Sequence, residues 1–364
     1  MNGKSARPQR HNNGAVVLKL DYSLSEEQEQ ISNKIVDNYK NHVDTLINAV
    51  CGAGKTELVY KVIANCLSEH KAVAFAVPRR DVVIELCHRI RDAFPSNYIV
   101  SVYGGHTERL EGDVVVLTTH QLYRYENYFD LIILDEIDAF PFKDNRLLNE
   151  MFFRAIKGNI VMMSATPSKD ILEYFSKENR EILELNTRFH RHPLPVPNVV
   201  VRVGILKYFF LISALNKYKK EGKKVFVFAP TITICEKVFN YIKIFVKNGN
   251  FVHSKCVNRS EIINNFKNGK YDYLVTTAVL ERGVTIKNLQ VIIFDADNSI
   301  YDSAALIQIS GRVGRKYDAP EGEVVFLVNK TTNSIEKAIS TIKSKNTHLQ
   351  NMLLMAKLII YMAI

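Results

Sequence analysis

The stretch LINAVCGAGKT, residues 46–56, combines an apolar run, a glycine-rich turn, a lysine and a threonine. A segment of helical periodicity follows, so the order is that of strand, loop and helix in a Walker A phosphate-binding motif. Gly52 and Gly54 allow backbone N–H groups to approach phosphate oxygens closely. We therefore expect Lys55 to contact the β- and γ-phosphates of a nucleotide, and Thr56 to bind Mg²⁺.

One position of this motif departs from the general pattern GxxxxGK[ST], because Ala49 stands where the first glycine is expected. The form AxxGxGKT remains competent to bind phosphate. The strand before it and the helix after it make a chance match to the short core improbable. The sequence therefore predicts that Gly52, Ala53 and Gly54 belong to the nucleotide-binding loop.

Apolar, β-branched runs recur on both sides of this motif and alternate with segments of helical periodicity. In the first half the runs span residues 46–50, 73–77, 114–117, 131–134 and 160–163, with helical segments such as 57–67 and 81–93 between them. In the second half they span residues 225–228, 251–253, 273–276, 291–294 and 324–328. Strands that alternate with helices favour a parallel sheet with helices on both faces. The sequence therefore predicts an α/β protein with two such units in tandem.

The stretch HRHPLPVPN, residues 190–198, contains three prolines within five residues and favours an extended, semi-rigid connector. Isoleucines recur at helical spacing near the C-terminus and predict an appended helical tail. We divide the chain accordingly into a disordered lead (residues 1–19), a first domain (20–187), a Pro-rich linker (188–205), a second domain (206–331) and the tail (332–364).

An acidic motif, DEID, follows directly after the apolar run 131–134. Ligands of open α/β sheets gather at the carboxyl ends of strands, so we expect Asp135 to hold Mg²⁺ through water. Glu136 is the candidate general base that orients an attacking water. Acidic residues at a strand end can also be solvated turn formers. The order of DEID after the Walker A motif favours the catalytic interpretation.

The apolar run 160–163 ends in Ser164-Ala165-Thr166. Small hydroxyl side chains at this strand tip are expected to couple the nucleotide site to a neighbouring domain, with Ser164 and Thr166 in that role. The tripeptide alone is a weak signal, and its order after DEID gives it value.

The second half contains TTAVLERGV, residues 276–284, and QISGRVGR, residues 308–315. A guanidinium that reaches a transferring γ-phosphoryl group stabilises its charge and is worth about 10³–10⁵ in rate. Arg312 and Arg315 lie three residues apart, so on a helix they share one face, and Gln308 lies on the same side. We expect Arg315 to be this arginine finger, Arg312 a second phosphate contact and Gln308 a group that polarises the finger or the water. A solvated basic helix is the alternative, which Gly311 and Gly314 disfavour because glycine weakens a helix.

Composition bounds the class of protein. The chain has 364 residues, of which 47% are apolar and 24% charged, which excludes a disordered or fibrous protein. The net charge of +10 is uneven, with −3 in residues 1–190 and +13 in residues 191–364. This asymmetry favours a polyanionic partner for the second half, or a basic surface that is merely solvated. As a hypothesis, the lysines at 219, 220, 223 and 224 contribute to the grip on such a partner.

The cysteines and the termini indicate the compartment. The five cysteines are widely spaced and form no CxxC pair, so we expect neither a disulfide framework nor zinc. The N-terminus has no apolar signal core. The apolar stretch 352–364 is interrupted by Lys357 and is too short to span a bilayer. The sequence therefore predicts a soluble, cytoplasmic protein.

The ordered motifs AxxGxGKT, DEID, SAT, RGV and QxxGRxGR resemble those of superfamily 2 DEAD/DEAH-like helicases and translocases over about residues 20–330. That resemblance implies two RecA-like P-loop NTPase domains, ATP in the cleft between them and nucleic acid across both. The strings VCGAGKTE, AVPRRDVVIEL, TTHQL and LDEIDAFPF look like the ComFA family of late-competence ATPases. The ComFA resemblance implies a single-stranded-DNA-stimulated ATPase that pulls incoming DNA into the cytoplasm, with a membrane DNA-uptake channel and other competence proteins as partners. It also allows a peripheral location at the inner face of the membrane.

The resemblance assigns further residues by their place in these motifs. Gln28 looks like the residue that reads adenine, although a helix cap at Ser25 explains the same letters. Gly283 would approach the nucleotide, whereas Thr285 stands where relatives place an aspartate for the ribose. Contacts to nucleic acid are implied for Arg79, Thr119, His120 and Thr277. Arg79 and Thr119 could instead be residues that begin helices.

Two matters stay open at this stage. ComFA proteins typically carry a four-cysteine zinc module before the motor, and the cysteines of such a module are missing from this sequence. The same motor could also serve as an ATP-dependent 3′–5′ DNA helicase of the primosomal or repair type, as an RNA-stimulated ATPase, or as a nucleotide-gated clamp. We favour translocation because no strand-separating insertion is evident. The oligomeric state is not predicted.

Overall fold

The computed structural model describes residues 15–20, 22–136, 146–278 and 286–362, without the side chains of 146–149, 348 and 352–362. The described chain forms two compact units, Met1–Leu185 and Asn186–Ile364, called here the first and the second unit. The first unit contains the Walker A motif, and the second contains the two arginines of QISGRVGR.

The first unit is built on a seven-stranded sheet. Its strands are β1 (Asp44–Ala49), β2 (Val73–Val77), β3 (Ile99–Val102), β4 (Val114–Thr118), β5 (Phe129–Asp135), β6 (Ile156–Ser164) and β7 (Arg180–Leu185). Its helices are α1 (Glu26–Lys40), α2 (Lys55–Leu58), α3 (Tyr60–Ser68), α4 (Arg80–Ala93), α5 (Arg146–Ala155) and α6 (Lys169–Phe175), with a 3₁₀ helix at Thr119–Arg124. The strand order is β3-β4-β2-β5-β6-β1-β7, and every pairing is parallel.

The second unit is built on a six-stranded sheet. Its strands are β8 (Asn198–Val201), β9 (Lys224–Phe228), β10 (Gly249–Val252), β11 (Tyr273–Thr276), β12 (Leu289–Phe294) and β13 (Val324–Val328). Its helices are α7 (Leu206–Lys220), α8 (Ile232–Ile242), α9 (Arg259–Lys267), α10 (Ser303–Ser310) and α11 (Asn333–Met362). The strand order is β10-β11-β9-β12-β13-β8, again with parallel pairings. The predicted α/β class with two parallel sheets is confirmed.

The central strands are the ones that the apolar runs predict. All five residues of β2 are buried, as are all five of β4 and of β13. Parallel strands are covered on both faces, so they appear in a sequence as continuous apolar runs rather than as an alternation. The predicted runs agree with the observed central strands to within a few residues at each end.

Three strands escaped prediction, and each lies at the edge of its sheet: β3, β7 and β8. Strands β7 and β8 are partly exposed and show no continuous apolar run, whereas β3 is short, with three of its four residues buried. In β7 only Leu185 is buried, and no residue of β8 is fully buried. The segment 188–205, which the sequence analysis assigns to a linker, thus contributes strand β8 to the second sheet. It pairs with β13 from Asn198↔Val325 to Val201↔Val328.

The predicted helical tail forms a single helix, α11. Ile335, Ala338 and Ile342 are buried along it, at the spacing of one helix face. Asn346 fixes this helix to the segment before β8, because its side chain accepts the N–H of Leu194 and donates to the carbonyl of Leu194, both at 2.8 Å. No helix within the described residues is long and apolar enough to cross a membrane.

Candidate nucleotide and nucleic-acid sites

The glycine-rich loop between β1 and α2 has the backbone that a phosphate loop requires. Gly52 and Gly54 have φ angles of +84° and +76°, values that favour glycine because a side chain would be strained there. The N–H of Val50 donates to the carbonyl of Leu185 at 3.0 Å, and the N–H of Ala53 to that of Val50 at 3.1 Å. The loop therefore starts from a position fixed by the neighbouring edge strand β7.

Gln28 links helix α1 to this loop. Its Nε2 donates to the carbonyl of Ala53 at 2.8 Å, and its Oε1 accepts the N–H of Ser25 at 2.9 Å. Ser25 in turn caps α1, so both halves of a capping box are present. The helix cap at Ser25 is thus present in the structure and holds the Gln28 amide against the loop. The adenine contact of Gln28 remains a prediction.

Replacement of Gly54 by alanine is expected to raise the Kd for ATP about tenfold. The new Cβ would lie 2.7 Å from Nε2 of Gln28, so it would displace the amide that holds Ala53 as well as strain the backbone. Gly222→Ala is the matched control, since Gly222 has a φ of +66° but no described atom within 4 Å of the added Cβ. Equilibrium titration with a fluorescent ATP analogue measures both. Equal affinity of the two variants would contradict the assignment of this loop.

The acidic motif lies at the carboxyl end of β5. Asp135 is its last residue, and its Oδ1 accepts the N–H of Glu136 at 2.8 Å. Glu136 has a φ of +58°, a left-handed conformation that costs a non-glycine residue about 1–2 kcal/mol. Strain of this kind clusters at functional sites, where the surrounding structure holds it. The left-handed turn thus comes directly after Asp135, the last residue of the strand. The remainder of the motif, from Ile137, lies outside the described residues.

Strand β6 lies between β5 and β1, so its tip separates the acidic motif from the glycine-rich loop. Ser164 pairs with Asn48 of β1, and Met163 pairs with Asp135 of β5. Ser164 is fully buried, and its hydroxyl accepts the N–H of Thr166 at 3.0 Å. The predicted coupling residue Ser164 therefore lies at the tip of the strand between the two halves of the predicted nucleotide site, and Thr166 follows it two residues later.

The donor set at this end of the sheet fits Mg²⁺. Thr56 offers a hydroxyl in the first turn of α2, and Asp135 a carboxylate two strands away across β6. Oxygen ligands from one or two side chains, with water and substrate phosphates as the others, are what Mg²⁺ prefers. The metal ligation predicted for Thr56 and Asp135 is compatible with this arrangement and remains a prediction.

The other half of the same sheet edge carries the residues assigned to nucleic acid. Arg79 follows β2 and precedes α4, and its Nη2 lies 3.4 Å from Oδ2 of Asp81. Thr119 and His120 follow β4, the next strand, and begin the 3₁₀ helix. His120 is exposed, whereas Thr119 is 1% exposed, so His120 is the better placed of the two to contact a ligand.

A third loop at this edge was missed by the sequence analysis. Strand β3 ends in a tight turn in which the N–H and carbonyl groups of Tyr103 and His106 pair with each other at 3.2 and 2.8 Å around two exposed glycines. The Tyr103 ring stacks on His106 at 4.9 Å and carries the guanidinium of Arg80 at 4.8 Å. The doublet Gly104-Gly105 was a signal for this turn, but β3 itself was not recognised.

We call the end of the first sheet where all these loops emerge the carboxyl edge. It has two halves because the strand order is β3-β4-β2 followed by β5-β6-β1. In that order the first three strands end in the Tyr103 turn, His120 and Arg79, the next three end in Glu136, Ser164 and the glycine-rich loop, and β7 forms the far edge of the sheet. One rigid sheet therefore presents cationic and aromatic groups beside a phosphate loop.

In the second unit, the expectation that Arg312 and Arg315 share a helix face is wrong. Helix α10 ends at Ser310, and residues 311–315 form a turn, called here the arginine turn, in which Gly314 has a φ of +68°. Gln308 is on α10 and is 6% exposed, and Arg312 is 2% exposed. Arg315 is half-buried, and its Nε donates to the carbonyl of Gly311 at 3.0 Å. Among the described residues this bond engages Nε alone, which leaves the two Nη groups of Arg315 to bind an anion.

The glycine at 314 explains why the helix stops here. A Cβ on Gly314 would lie 2.1 Å from the carbonyl oxygen of Pro320, so only glycine fits the turn. Gly311 and Gly314 disfavour a plain basic helix already at the level of sequence. Their structural consequence is a turn in which Arg312 points into the unit while Arg315 stays accessible.

Of the remaining residues predicted to act in the second unit, some lie within the described residues and others do not. Thr277 follows directly after β11 and is half-buried. Gly283 and Thr285 lie outside the described residues.

The lysine cluster lies at the amino ends of the strands, opposite Thr277. Lys219 and Lys224 each lie 3.5 Å from Asp272, and Lys223 lies 2.7 Å from Glu221. These pairings do not favour the hypothesis that the cluster grips a polyanion.

Two family models match the chain. The model for the res subunit of type III restriction enzymes matches residues 21–169, and the model for the helicase conserved C-terminal domain matches residues 206–317. Competence protein ComFA of Bacillus subtilis strain 168 is 34% identical over 348 residues, which covers 91% of this chain and 74% of that protein.

The chain belongs to the ComFA family. A second ComFA, that of Streptococcus pneumoniae strain ATCC BAA-255/R6, is 33% identical over 341 residues, covering 91% of this chain and 79% of that protein. Among solved structures, S. cerevisiae Dbp5 bound to RNA and ADP BeF3 aligns with a TM-score of 0.65 at 16% identity, over 89% of this chain and 92% of that one. This likeness confirms the predicted fold of two tandem RecA-like domains.

Membership of the ComFA family together with the two helicase-type domains establishes the class of enzyme. The chain is a nucleic-acid-dependent ATPase of superfamily 2, an ATP-driven helicase or translocase. Domains of this class use ATP with a divalent metal ion.

Proposed function

We propose that this ComFA-family chain is an ATP-dependent single-stranded-DNA translocase that drives DNA uptake during competence. The observation that carries the proposal is the divided carboxyl edge, which sets the Arg79, His120 and Tyr103 loops beside the phosphate loop on one sheet. The two relatives that cover nine-tenths of the chain are both competence proteins. The proposed partners are therefore single-stranded DNA and the protein channel through which it enters, at the cytoplasmic face of the membrane.

In the proposed hydrolytic step, Lys55 binds the β- and γ-phosphates of ATP as a point charge. Thr56 and Asp135 hold Mg²⁺, which when bound neutralises charge on the phosphate oxygens. Glu136 accepts a hydrogen bond from water and directs its lone pair at the γ-phosphorus. A new oxygen–phosphorus bond forms while the bond to the β-phosphate oxygen breaks, giving ADP, phosphate and a proton.

Arg315 supplies positive charge to the γ-phosphoryl oxygens as that bond breaks, with Arg312 as a second contact. Gln308 polarises the finger or the water, and Gln28 reads the adenine base, with Gly283 near the nucleotide. These roles rest on the match to superfamily 2 motifs. Two observations support them: within the described residues, Arg315 is bonded to the turn through Nε and not through its Nη groups, and Gln28 is linked to the phosphate loop.

DNA movement follows from alternating grip. Arg79, His120 and Thr119 hold the backbone on the first unit, and Thr277 holds it on the second. Ser164 and Thr166, at the strand tip beside both halves of the nucleotide site, couple hydrolysis to that grip. Backbone contacts of this kind are electrostatic and independent of sequence, so affinity falls steeply with salt.

Single-stranded DNA is expected to raise the steady-state rate of ATP hydrolysis at least tenfold, and more than blunt duplex DNA or RNA of equal length. The physical reason is that the proposed contacts combine a basic side chain, Arg79, with rings such as Tyr103 and His120, and bases can stack on rings only when the strand is unpaired. The expected preference for DNA over RNA rests on the likeness to ComFA. The four conditions (no nucleic acid, single strand, duplex and RNA) are measured at one salt concentration, with Glu136→Gln as the blank.

The same hydrolysis measurements also distinguish the alternative functions. Stimulation by RNA above DNA would overturn the DNA-uptake assignment and retain the motor. Stimulation with efficient separation of a labelled duplex would favour the 3′–5′ repair or restart helicase. Retained ATP binding without turnover under any condition would favour a nucleotide-gated clamp.

A further inference from the structure

The second unit begins with two buried basic side chains that bind the arginine turn. Arg188 is 2% exposed, and His190 is 8% exposed. Nη1 of Arg188 donates to the carbonyls of Val313 and Gly314, at 2.9 and 3.0 Å, and its Nη2 lies 3.4 Å from the carbonyl of Gly311. One planar guanidinium thus spans the whole turn.

His190 adds a further bond to the same carbonyl. Its Nε2 lies 2.8 Å from the oxygen of Gly314, and its Nδ1 accepts the N–H of His192 at 3.1 Å. Because Nδ1 is an acceptor, the proton lies on Nε2, which donates. Burial lowers the pKa of His190 below its ordinary value, so the ring is neutral at pH 7 and the bond to Gly314 does not add a second charge.

The turn needs these donors because a helix ends there. The last carbonyls of a helix have no partner within it and carry the negative end of its dipole. Helix α10 ends at Ser310 with Gly311 as its cap, and the carbonyl of Gly311 is the one that Arg188 shares with Arg315. Nε of Arg315 reaches that oxygen at 3.0 Å. The position of the predicted finger is therefore set through a carbonyl that Arg188 also holds.

We propose that Arg188 and His190 are positioning residues that hold the arginine turn, and so fix Arg315 in the orientation that hydrolysis requires. The inference rests on the proposed function, because it assumes that Arg315 acts on the γ-phosphoryl group. Neither residue contacts substrate in this account. Both act through the backbone of residues 311–314. They lie far from the motif QxxGRxGR in the sequence and are therefore not part of it.

The test is substitution of Arg188 by lysine, which keeps the charge but cannot reach three carbonyls with one planar fork. We expect kcat for stimulated ATP hydrolysis to fall about 10- to 100-fold, with KM for ATP changed less than threefold. Arg191→Lys is the matched control, because Arg191 lies in the same segment and is exposed; its kcat should be that of the unmodified chain. His190→Leu should lower kcat, and His190→Gln, which retains a donor, should restore most of it.

A double-mutant cycle separates positioning from general stability. If Arg188 acts only through Arg315, then Arg188→Lys causes no further loss in single-turnover rate when Arg315 is already alanine. An equal further loss in that background would overturn the inference, as would an unchanged kcat in Arg188→Lys. If Arg188→Lys does not fold, the His190 pair in the same cycle decides.

Failure of the proposed function gives a different pattern. Turnover of Arg315→Ala equal to that of the unmodified chain would remove the catalytic role of Arg315, and the inference would fall with it. A large loss in Arg315→Ala combined with normal turnover in Arg188→Lys and His190→Leu would overturn the inference alone.

Discussion

Arg315→Ala is expected to lower kcat for DNA-stimulated ATP hydrolysis about 10³-fold or more, while the Kd for ATP changes less than fivefold. An arginine that meets the γ-phosphoryl group stabilises charge that develops only in the transition state, and such residues are worth about 10³–10⁵ in rate. In the structure the Arg315 side chain is attached to the turn by Nε alone among its described bonds, so its terminal groups can serve this purpose. Single-turnover hydrolysis measures the effect.

The neighbouring residue provides the control for this experiment. Lys316 is exposed and carries the same charge one position later, so Lys316→Ala removes a cation without removing the finger. Its rate should lie within twofold of the unmodified chain. A similar loss in both variants would mean that the net charge of this loop matters and that Arg315 has no special position.

Glu136→Gln is expected to lower kcat about 10²- to 10⁴-fold and to leave binding of ATP and DNA intact. The amide has nearly the same shape as the carboxylate but cannot accept a proton from water, and general bases contribute about that factor. Oδ1 of Asp135 accepts the backbone N–H of Glu136, a bond that the substitution retains, so it should spare the residue proposed to hold the metal ion.

Glu111→Gln is the control for that substitution, since Glu111 is an exposed glutamate of the same unit. DNA affinity in the presence of ATP, measured by fluorescence anisotropy, should be equal to or tighter than that of the unmodified chain in Glu136→Gln, because the ATP-bound state persists. Loss of ATP binding in Glu136→Gln would contradict the assignment of Glu136 as base and would indicate a metal or structural role.

The sequence predicted the buried part of the fold well and the edges poorly. A central parallel strand must be apolar on both faces, so β2, β4 and β13 are evident as apolar runs. Edge strands β7 and β8 are held by pairing on one side and are partly exposed, so their composition does not distinguish them from loops, whereas β3 is mostly buried but only four residues long. The same limit made the segment 188–205 look like a connector.

For the candidate site, the short motifs could be predicted from the sequence, but the hydrogen bonds from residues distant in the sequence that hold those motifs in place could not. The glycines at 52 and 54 and the acidic pair after β5 are short-range patterns with few structural solutions. The bond from Gln28 to Ala53 joins residues 25 positions apart, and the bonds from Arg188 to the arginine turn join residues more than 120 apart. The position of Arg188 in the sequence does not indicate that it binds the carbonyls of Val313 and Gly314. Its proline-rich neighbours predict only an extended segment.

The divided carboxyl edge has an evolutionary consequence. The loops that would meet the track grow from β3, β4 and β2, and those that would handle the nucleotide grow from β5, β6 and β1, so neither group interrupts the other along the sheet. Insertions or substitutions can therefore accumulate in the three track loops, changing which polymer is preferred, while the hydrolytic half and the buried strands stay as they are. A lineage could retarget such a motor in small steps, each of which leaves a working ATPase.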